Sequence, residues 1–194
     1  CSQAFKGCIS LTKIQLPSSV VSIGFNAFEG CTSLTKITIP PSVHKICSQA
    51  FKGCISLKQI EILSDEIDIG ENIFDGLETI EISEKITKIQ KNLFFKCSTL
   101  KEIKIPQSVN EIENNAFNGC TSLVKIDIPN TVERIGSNEF EGCKSLKQIS
   151  FSSIVTEIDS YVFNGCSSLI EIIIPSSVVK INSFAFKDCS SLKK

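Results

Sequence analysis

The chain has 194 residues, of which 42% are hydrophobic and 21% are charged, and its formal net charge is −1. This composition excludes a disordered polymer, and the small net charge provides no global field that would attract nucleic acid or an anionic membrane. No apolar run is long enough to span a bilayer, so we expect neither a nucleic-acid partner nor direct membrane insertion of this segment.

The sequence repeats itself with a period of 23 residues. The stretch CSQAFKGCIS occupies residues 1–10 and returns at 47–56. Phenylalanine recurs at the same interval, except that Phe74 and Phe94 are 20 residues apart. The missing residues, which include one cysteine, fall between Phe74 and Leu77. We therefore expect a single array over residues 1–194 with about nine units, one shortened to 20 residues near 74–77. We interpret it as a segment of a longer array.

Each unit predicts the same elements in the same order. In the second unit AFEGC predicts a tight turn, in which Gly30 provides backbone freedom. Alternation of Ile37 and Ile39 with polar residues predicts a strand with one buried face, and Pro40 ends it. A second short extended stretch follows. The residues expected to point inward are Phe28, Cys31, Leu34, Ile37, Ile39, Val43 and Ile46.

This repeat length and the L-x-x-I-x-I spacing predict a leucine-rich repeat solenoid. We expect a mostly β architecture of short parallel strands and turns, with little helix. One unit alone buries too little apolar surface to offset the entropy of ordering its residues. Stability must therefore come from the stacking of neighbouring units.

Eight of the ten cysteines occupy one position of the repeat. Stacked parallel side chains fit disulfide geometry poorly, so we predict a column of buried reduced thiols. An occasional disulfide or a metal site remains the alternative. Cys1 and Cys47 lie outside this column, and we expect them to be exposed. The single histidine, His44, has only Cys47 nearby in sequence, so we predict no metal site.

An amide recurs two residues before phenylalanine in seven units. This position predicts a stacked ladder in which each amide bonds to the next and to the turns. The ladder is interrupted in the last two units, where the position holds Tyr161 and Phe184. The amide residues are Gln3, Asn26, Gln49, Asn72, Asn92, Asn115 and Asn138.

The sequence lacks convergent groups for catalysis. It has one histidine, no G-x-S-x-G, no glycine-rich phosphate loop and no metal-ligand spacing. We therefore predict a protein that is not an enzyme, with no catalytic residue and no cofactor.

Outward strand positions form the expected binding surface. Two rows of mostly polar side chains run along the predicted sheet, and near the C-terminal end Ile170 and Ile173 replace polar residues. Later repeats could cover this apolar patch; the alternative is a partner or self-association surface. The candidate partner-binding residues are Lys13, Lys36, Gln59, Glu61, Thr79, Glu81, Glu102, Lys104, Lys125, Asp127, Ile170 and Ile173.

An acidic stretch runs from Glu61 to Glu84. It holds nine acidic residues and no lysine or arginine. One interpretation is a degenerate repeat with solvated charges. The others are a docking site for a basic partner and a low-affinity calcium site. Calcium is the weaker of these two, because no calcium-binding loop motif is present to converge the oxygens.

The stretch CTSLTKITIPPSVHKICSQAF, with its L-x-x-I-x-I-P…V-x-x-I…A-F-x-x-C spacing, resembles the BspA-like (Treponema-type) leucine-rich repeats. The resemblance covers essentially the whole chain, although Ser83 replaces proline and Lys96 replaces glycine. It implies a right-handed solenoid with a parallel sheet. It also implies a non-enzymatic surface protein of the kind that attaches to host extracellular-matrix proteins or to other cells. No binding residue can be transferred, because the family shares a scaffold motif.

Two functions remain open at this stage. The resemblance favours a secreted or cell-surface adhesion protein. The alternative is an intracellular, cytoplasmic interaction scaffold, which the predicted reduced thiols and the lack of an N-x-[ST] sequon among eleven asparagines favour. A signal peptide upstream of this segment would decide between them.

Overall fold

The alternating pattern of each unit folds into short parallel strands joined by turns. The computed structural model describes residues 2–64 and 67–193, and these contain fourteen strands and no helix. Cys1, which was expected to be exposed, lies outside the described residues, and so do the acidic residues Asp65 and Glu66. The strands are β1 (Ser22–Ile23), β2 (Lys36–Ile39), β3 (Lys45–Ile46), β4 (Gln59–Ile62), β5 (Asp68–Ile69), β6 (Thr79–Ile82), β7 (Lys88–Ile89), β8 (Glu102–Lys104), β9 (Glu111–Ile112), β10 (Lys125–Asp127), β11 (Arg134–Ile135), β12 (Gln148–Ser150), β13 (Glu157–Ile158) and β14 (Lys180–Ile181).

The L-x-x-I-x-I segments build one six-stranded parallel sheet, which we call the first sheet. Its order is β12-β10-β8-β6-β4-β2, so strands of consecutive units are neighbours. Ile37 lies beside Ile60, and Ile126 beside Ile149, which places isoleucines of the same repeat position in register. The solenoid of short parallel strands and turns expected from the sequence is confirmed.

Strands were also expected in the first and last units, and this prediction is wrong. Residues 13–16 and 171–174 belong to no strand. Within the described residues each of these segments has a neighbouring unit on one side only. The alternating pattern specifies which side chains face inward, but a strand also requires ladder hydrogen bonds, and these two segments form none with the adjacent strands β2 and β12.

The second extended stretch of each unit forms two-residue strands. These pair in parallel as β1-β3-β5, as β11-β9-β7 and as β13-β14. Between the first sheet and these short strands lies a continuous apolar core. All seven inward positions predicted for the second unit are buried, none more than 2% exposed. The core is therefore one column of equivalent side chains per repeat position.

Phenylalanine forms the central column. Successive rings from Phe5 to Phe186 have centroids 5.0–5.8 Å apart. Most pairs are nearly parallel, but Phe74 and Phe94 are tilted by 35°. That pair flanks the three-residue deletion, so the shortened turn disturbs the stacking without breaking the column.

The AFxGC turns need two residues with positive φ. Glycine supplies one of them in seven units, and Lys96 and Asp188 adopt φ of 56° and 58° in its place. The other is the residue two positions before phenylalanine, at φ between 54° and 63°. Asparagine tolerates this left-handed conformation better than most residues do, which explains its recurrence.

The amide ladder predicted from the same position is mostly wrong. One bond of this kind is present in the described part of the chain, from Asn26 Nδ2 to Gln49 Oε1 at 3.1 Å. Tyr161 and Phe184 keep the positive φ, at 60° and 61°, and their rings stack with centroids 5.1 Å apart. Backbone conformation, rather than an amide network, is what this position conserves from unit to unit.

Candidate functional site

The outward side of the first sheet carries nearly all the predicted binding residues. Because side chains alternate along a strand, each first-sheet strand presents polar residues opposite its buried isoleucines. Lys125 and Asp127 point outward from the same strand and form an ion pair of 2.9 Å. The exposed predicted residues are Lys13, Lys36, Thr79, Glu81, Glu102, Lys104, Lys125, Asp127, Ile170 and Ile173, and Gln59 is partly exposed.

The two predicted rows are not continuous along the sheet. By repeat position Gln59 corresponds to Thr79, yet Gln59 pairs with Glu81 and Ile60 pairs with Ile82. Strand β6 is therefore displaced by two residues relative to β4, about 6.6 Å at the rise of a strand. A shift of two keeps the isoleucines inward, whereas a shift of one would turn them to solvent.

Beyond this step the ordinary register resumes. Thr79 pairs with Glu102, and Glu81 pairs with Lys104. The outward face thus consists of two regular arms that meet at a step between β4 and β6. The step is the consequence of the three-residue deletion in the preceding turn.

Glu61 was predicted as an outward binding residue, and this prediction is wrong. The residue is only 4% exposed. Lys85 Nζ lies 2.7 Å from one carboxylate oxygen, while Lys36 Nζ lies 3.7 Å from the other. Thr38 Oγ1 also donates to that second oxygen, at 3.1 Å. The hydrogen bond from Lys85 lowers the pKa of Glu61 against the effect of burial, so the carboxylate is a structural element of the step.

Most of the acidic stretch is paired with lysines of neighbouring units. Five of its seven described acidic residues lie within 4.0 Å of a lysine ammonium, and Glu81 and Glu84 have no ion pair among the described residues. These pairs weaken the hypothesis of a docking site for a basic partner. The pairs are Glu61–Lys85, Asp68–Lys45, Glu71–Lys96, Asp75–Lys52 and Glu78–Lys101.

The repeat cysteines form the predicted column of thiols. All nine described cysteines are free, and six of the column are buried. Six of the column thiols donate to the carbonyl of the phenylalanine in the preceding unit, as Cys120 does to Phe94 at 3.1 Å. Burial raises the pKa of Cys54 and Cys97 to about 12, which keeps them protonated at neutral pH.

The two ends of the column and Cys47 differ from expectation. Cys8 is exposed and Cys189 is partly exposed, although both occupy the repeat position. Within the described residues each lies in a terminal unit, where one side of the column is open. Cys47 was expected to be exposed and is only partly so.

The sequence prediction overlooked Glu139, which is a fully buried carboxyl group. Its exposure is 0%, in a position that holds alanine in Ala27, Ala50 and Ala116. One carboxyl oxygen accepts from the Ala116 N–H at 3.2 Å. The other, Oε1, makes no hydrogen bond to the described residues. Desolvation raises the pKa of Glu139 well above its ordinary value. Every other unit has an apolar residue directly before the repeat phenylalanine, so a glutamate at this position is the sequence signal that could have identified it.

Two kinds of feature are not found in the described residues. None of their histidine, cysteine, aspartate and glutamate side chains form a group of three or more able to hold a metal ion. Residues 2–64 and 67–193 likewise contain no helix long and apolar enough to cross a membrane.

The repeat sequence and the parallel stacking together identify the family. The sequence model of the BspA-type leucine-rich repeat region, which comprises six copies, matches residues 1–124 and 75–193. The chain belongs to the BspA-type leucine-rich repeat family. The solved structures to which this BspA-type protein is similar carry the same architecture.

A leucine-rich repeat protein of T. pallidum is 32% identical, with a TM-score of 0.58, and the match covers 94% of this chain and 76% of that one. A leucine-rich repeat protein of Bacteroides ovatus is 27% identical, with a TM-score of 0.50; the match covers 99% of this chain and 56% of that one. The pneumococcal vaccine antigen PcpA is 20% identical, with a TM-score of 0.53 over 90% of this chain and 53% of that one, and shares the fold. No curated protein matches this BspA-type chain.

Proposed function

We propose that this protein is a non-enzymatic module that binds protein partners through the outward face of its first sheet. The observation that carries the proposal is this broad face of exposed side chains of both charges, held by a buried and regular core. Leucine-rich repeat arrays generally use such extended surfaces for binding. A rigid backbone also lowers the entropy cost of ordering the contact residues.

The location we propose is the cell surface, with host extracellular-matrix proteins or proteins of other cells as partners. The support is family membership, because BspA-like proteins resemble one another in scaffold and are often surface proteins. Labelling of intact cells with an antibody against this chain tests the location. Labelling only after permeabilisation would contradict it.

The second candidate is an intracellular scaffold that binds through the same face. It is favoured by the nine described cysteines, all of which are free thiols. Reducing compartments keep thiols in this state, whereas exported proteins more often carry disulfides. The intact-cell labelling separates the two locations while leaving the binding face common to both.

The binding face is tested with a triple variant. Lys13→Ala, Glu102→Ala and Lys125→Ala remove exposed side chains from both arms of the face. We expect this variant to lose most of its retention on wells coated with purified extracellular-matrix proteins or on cell monolayers. The folded core is unaffected, because none of the three side chains is buried.

A matched control removes the same charges elsewhere. Glu133→Ala, Arg134→Ala and Lys144→Ala delete one acidic and two basic exposed residues away from the first sheet, at the start of β11 and in a turn. We expect this control to bind as the unmodified chain does. Equal loss of retention in both variants would contradict a specific role of the outward face.

A further inference from the structure

Two exposed isoleucines lie at the C-terminal end of the outward face. Ile170 is 47% exposed and Ile173 is 76% exposed. The same repeat positions of the preceding unit hold Lys147 and Ser150. The repeat position of Ile173 is polar in every earlier unit, so an exposed isoleucine there departs from the repeat, and Ile170 extends it to an apolar pair. An exposed apolar patch of this kind marks an interaction surface.

The pair borders a cleft of about 660 Å³, which we call the C-terminal cleft. Its lining includes Phe151, Ile170, Ile173 and Pro175. Phe151 is partly buried and packs edge-on against Phe163, with ring centroids 5.7 Å apart and planes at 79°. The aromatic lining is therefore anchored to the core. Ile173 therefore lies at a cleft that offers apolar contacts as well as polar ones.

Two unpaired charges of opposite sign line the same cleft. Lys147 and Glu171 both contribute to it, and neither forms an ion pair with the described residues. This contrasts with the acidic stretch, where most carboxylates have a lysine partner. A strongly acidic or strongly basic partner would meet one favourable and one unfavourable charge here. A surface that carries both signs can instead complement a copy of itself.

We propose that the C-terminal cleft is an interface with a second copy of this chain, related by a two-fold axis. In a two-fold interface the same patch is used twice, so each contact occurs in both directions. Ile173 of each copy enters the cleft of the other, and Lys147 of each copy faces Glu171 of the other. The inference rests on the proposed role of the outward face in protein binding, since it assigns one region of that face to self-association.

Sedimentation equilibrium of the chain over a concentration series tests the apolar contact. We expect a reversible monomer–dimer equilibrium, and Ile173→Lys should weaken it at least tenfold. Val179→Lys is the matched control, because Val179 is 86% exposed, lies in the same unit and does not line the cleft. The control should dimerise like the unmodified chain. A chain that remains monomeric, or a dimer that Ile173→Lys leaves unchanged, overturns the proposal.

Charge variants test the two-fold geometry. Lys147→Glu and Glu171→Lys should each weaken self-association, because each places like charges opposite one another. An equimolar mixture of the two variants should form a heterodimer, since both cross-contacts then join opposite charges. A mixture that associates no better than either variant alone overturns the two-fold arrangement.

The outcomes separate this inference from the proposed function. Retention of a strictly monomeric chain on matrix-coated wells would refute the interface and support partner binding. A cleft-dependent dimer that no matrix protein or cell monolayer retains would support the interface and contradict the partner-binding proposal.

Discussion

At the scale of single residues, Glu139 is the strongest departure from the repeat. A carboxyl group that is buried without a full set of hydrogen bonds is less stable charged than neutral. Its pKa is raised in the folded chain, mainly by desolvation and further by the nearby Glu113, above an ordinary value of 4.5. The folded state therefore holds the proton more tightly than the unfolded state does. Stability is highest below the unfolded pKa and falls as pH rises above 4.5 towards the folded pKa.

We predict that Glu139→Leu stabilises the protein at pH 7. Leucine fills the same position at Leu93, so the core accommodates it. Removal of the poorly satisfied carboxyl should raise the free energy of unfolding by about 1–3 kcal/mol. The decline of stability between pH 5 and pH 8 should become shallower. Guanidinium unfolding over that pH range measures both effects.

The control for this variant is Glu133→Gln, which neutralises an exposed carboxylate six residues earlier. It should leave the pH dependence of unfolding nearly unchanged. If Glu139→Leu is no more stable at pH 7 than the unmodified chain, the buried carboxyl is not the destabilising group described above.

The cysteine column gives a second prediction at this scale. Buried thiols with raised pKa values react slowly, because the thiolate is the reactive form and the reagent cannot reach it. Native labelling at pH 8, mapped by mass spectrometry, should modify Cys8 first and leave Cys54, Cys97 and Cys120 unmodified until the chain unfolds. Modification of these three at the rate of Cys8 would be incompatible with the stacked core.

The positive-φ column shows what sequence could not tell at this scale. Recurrent asparagine two residues before phenylalanine suggested side-chain hydrogen bonding, and the periodicity fits that idea equally well. The structure shows that Gln49, Tyr161 and Phe184 adopt the same positive φ, although one side chain is an amide and two are aromatic. The residue types at this position do not reveal the shared backbone conformation, because polar and aromatic residues both adopt it.

At the scale of elements, the step between β4 and β6 is the main feature. The deletion is plain in the sequence, since Phe74 and Phe94 are 20 residues apart. Its effect on register was not predictable, because a shift of zero or of two residues keeps the isoleucines inward equally well. The observed shift of two depends on how the shortened turn after Phe74 joins the next strand.

We predict that restoring the missing residues removes the step. Insertion of Cys-Ile-Ser after Gly76 gives this turn the length of the others. Gln59 should then pair with Thr79, and the inserted thiol can donate to the Phe51 carbonyl as its counterparts do. We expect a higher unfolding midpoint and more nearly parallel Phe74 and Phe94 rings, measured by guanidinium unfolding and a crystal structure of the variant.

Insertion of the same three residues after Gly142 is the matched control. That turn already has full length, so the extra residues should displace the following strand and lower the unfolding midpoint. A stabilising effect at both turns, or at neither, would mean that the turn length after Phe74 does not set the register.

At the scale of the whole molecule, the 23-residue period also places side chains of opposite charge next to one another in adjacent units. Asp68 and Lys45, like Glu78 and Lys101, are 23 residues apart and form ion pairs of 2.6 and 2.7 Å between adjacent units. Three of the five pairs of the acidic stretch, including Asp75–Lys52, have this spacing and could have been predicted from it. These pairs lie at the surface, and each contributes little to stability. Their effect is to neutralise much of the negative charge that the composition of residues 61–84 suggested.

The outward face was largely predictable for the same reason. Period-two alternation identified which side chains leave the core, and ten of the twelve candidates are exposed in the structure. Glu61 failed because its burial depends on Lys85, which reaches it only across the step. Contacts created by an irregularity between units are not encoded in the pattern of any single unit.

The claim that the outward face of the first sheet binds protein is tested most directly by lysine labelling. The chain is modified with an amine reagent, free and bound to a matrix protein or cell monolayer that retains it, and the sites are quantified by mass spectrometry. Protection is predicted at the outward lysines Lys13, Lys36, Lys104 and Lys125, with unchanged labelling at Lys91, Lys144 and Lys187, all exposed elsewhere on the molecule. Protection of the second group with full labelling of the first would contradict the account.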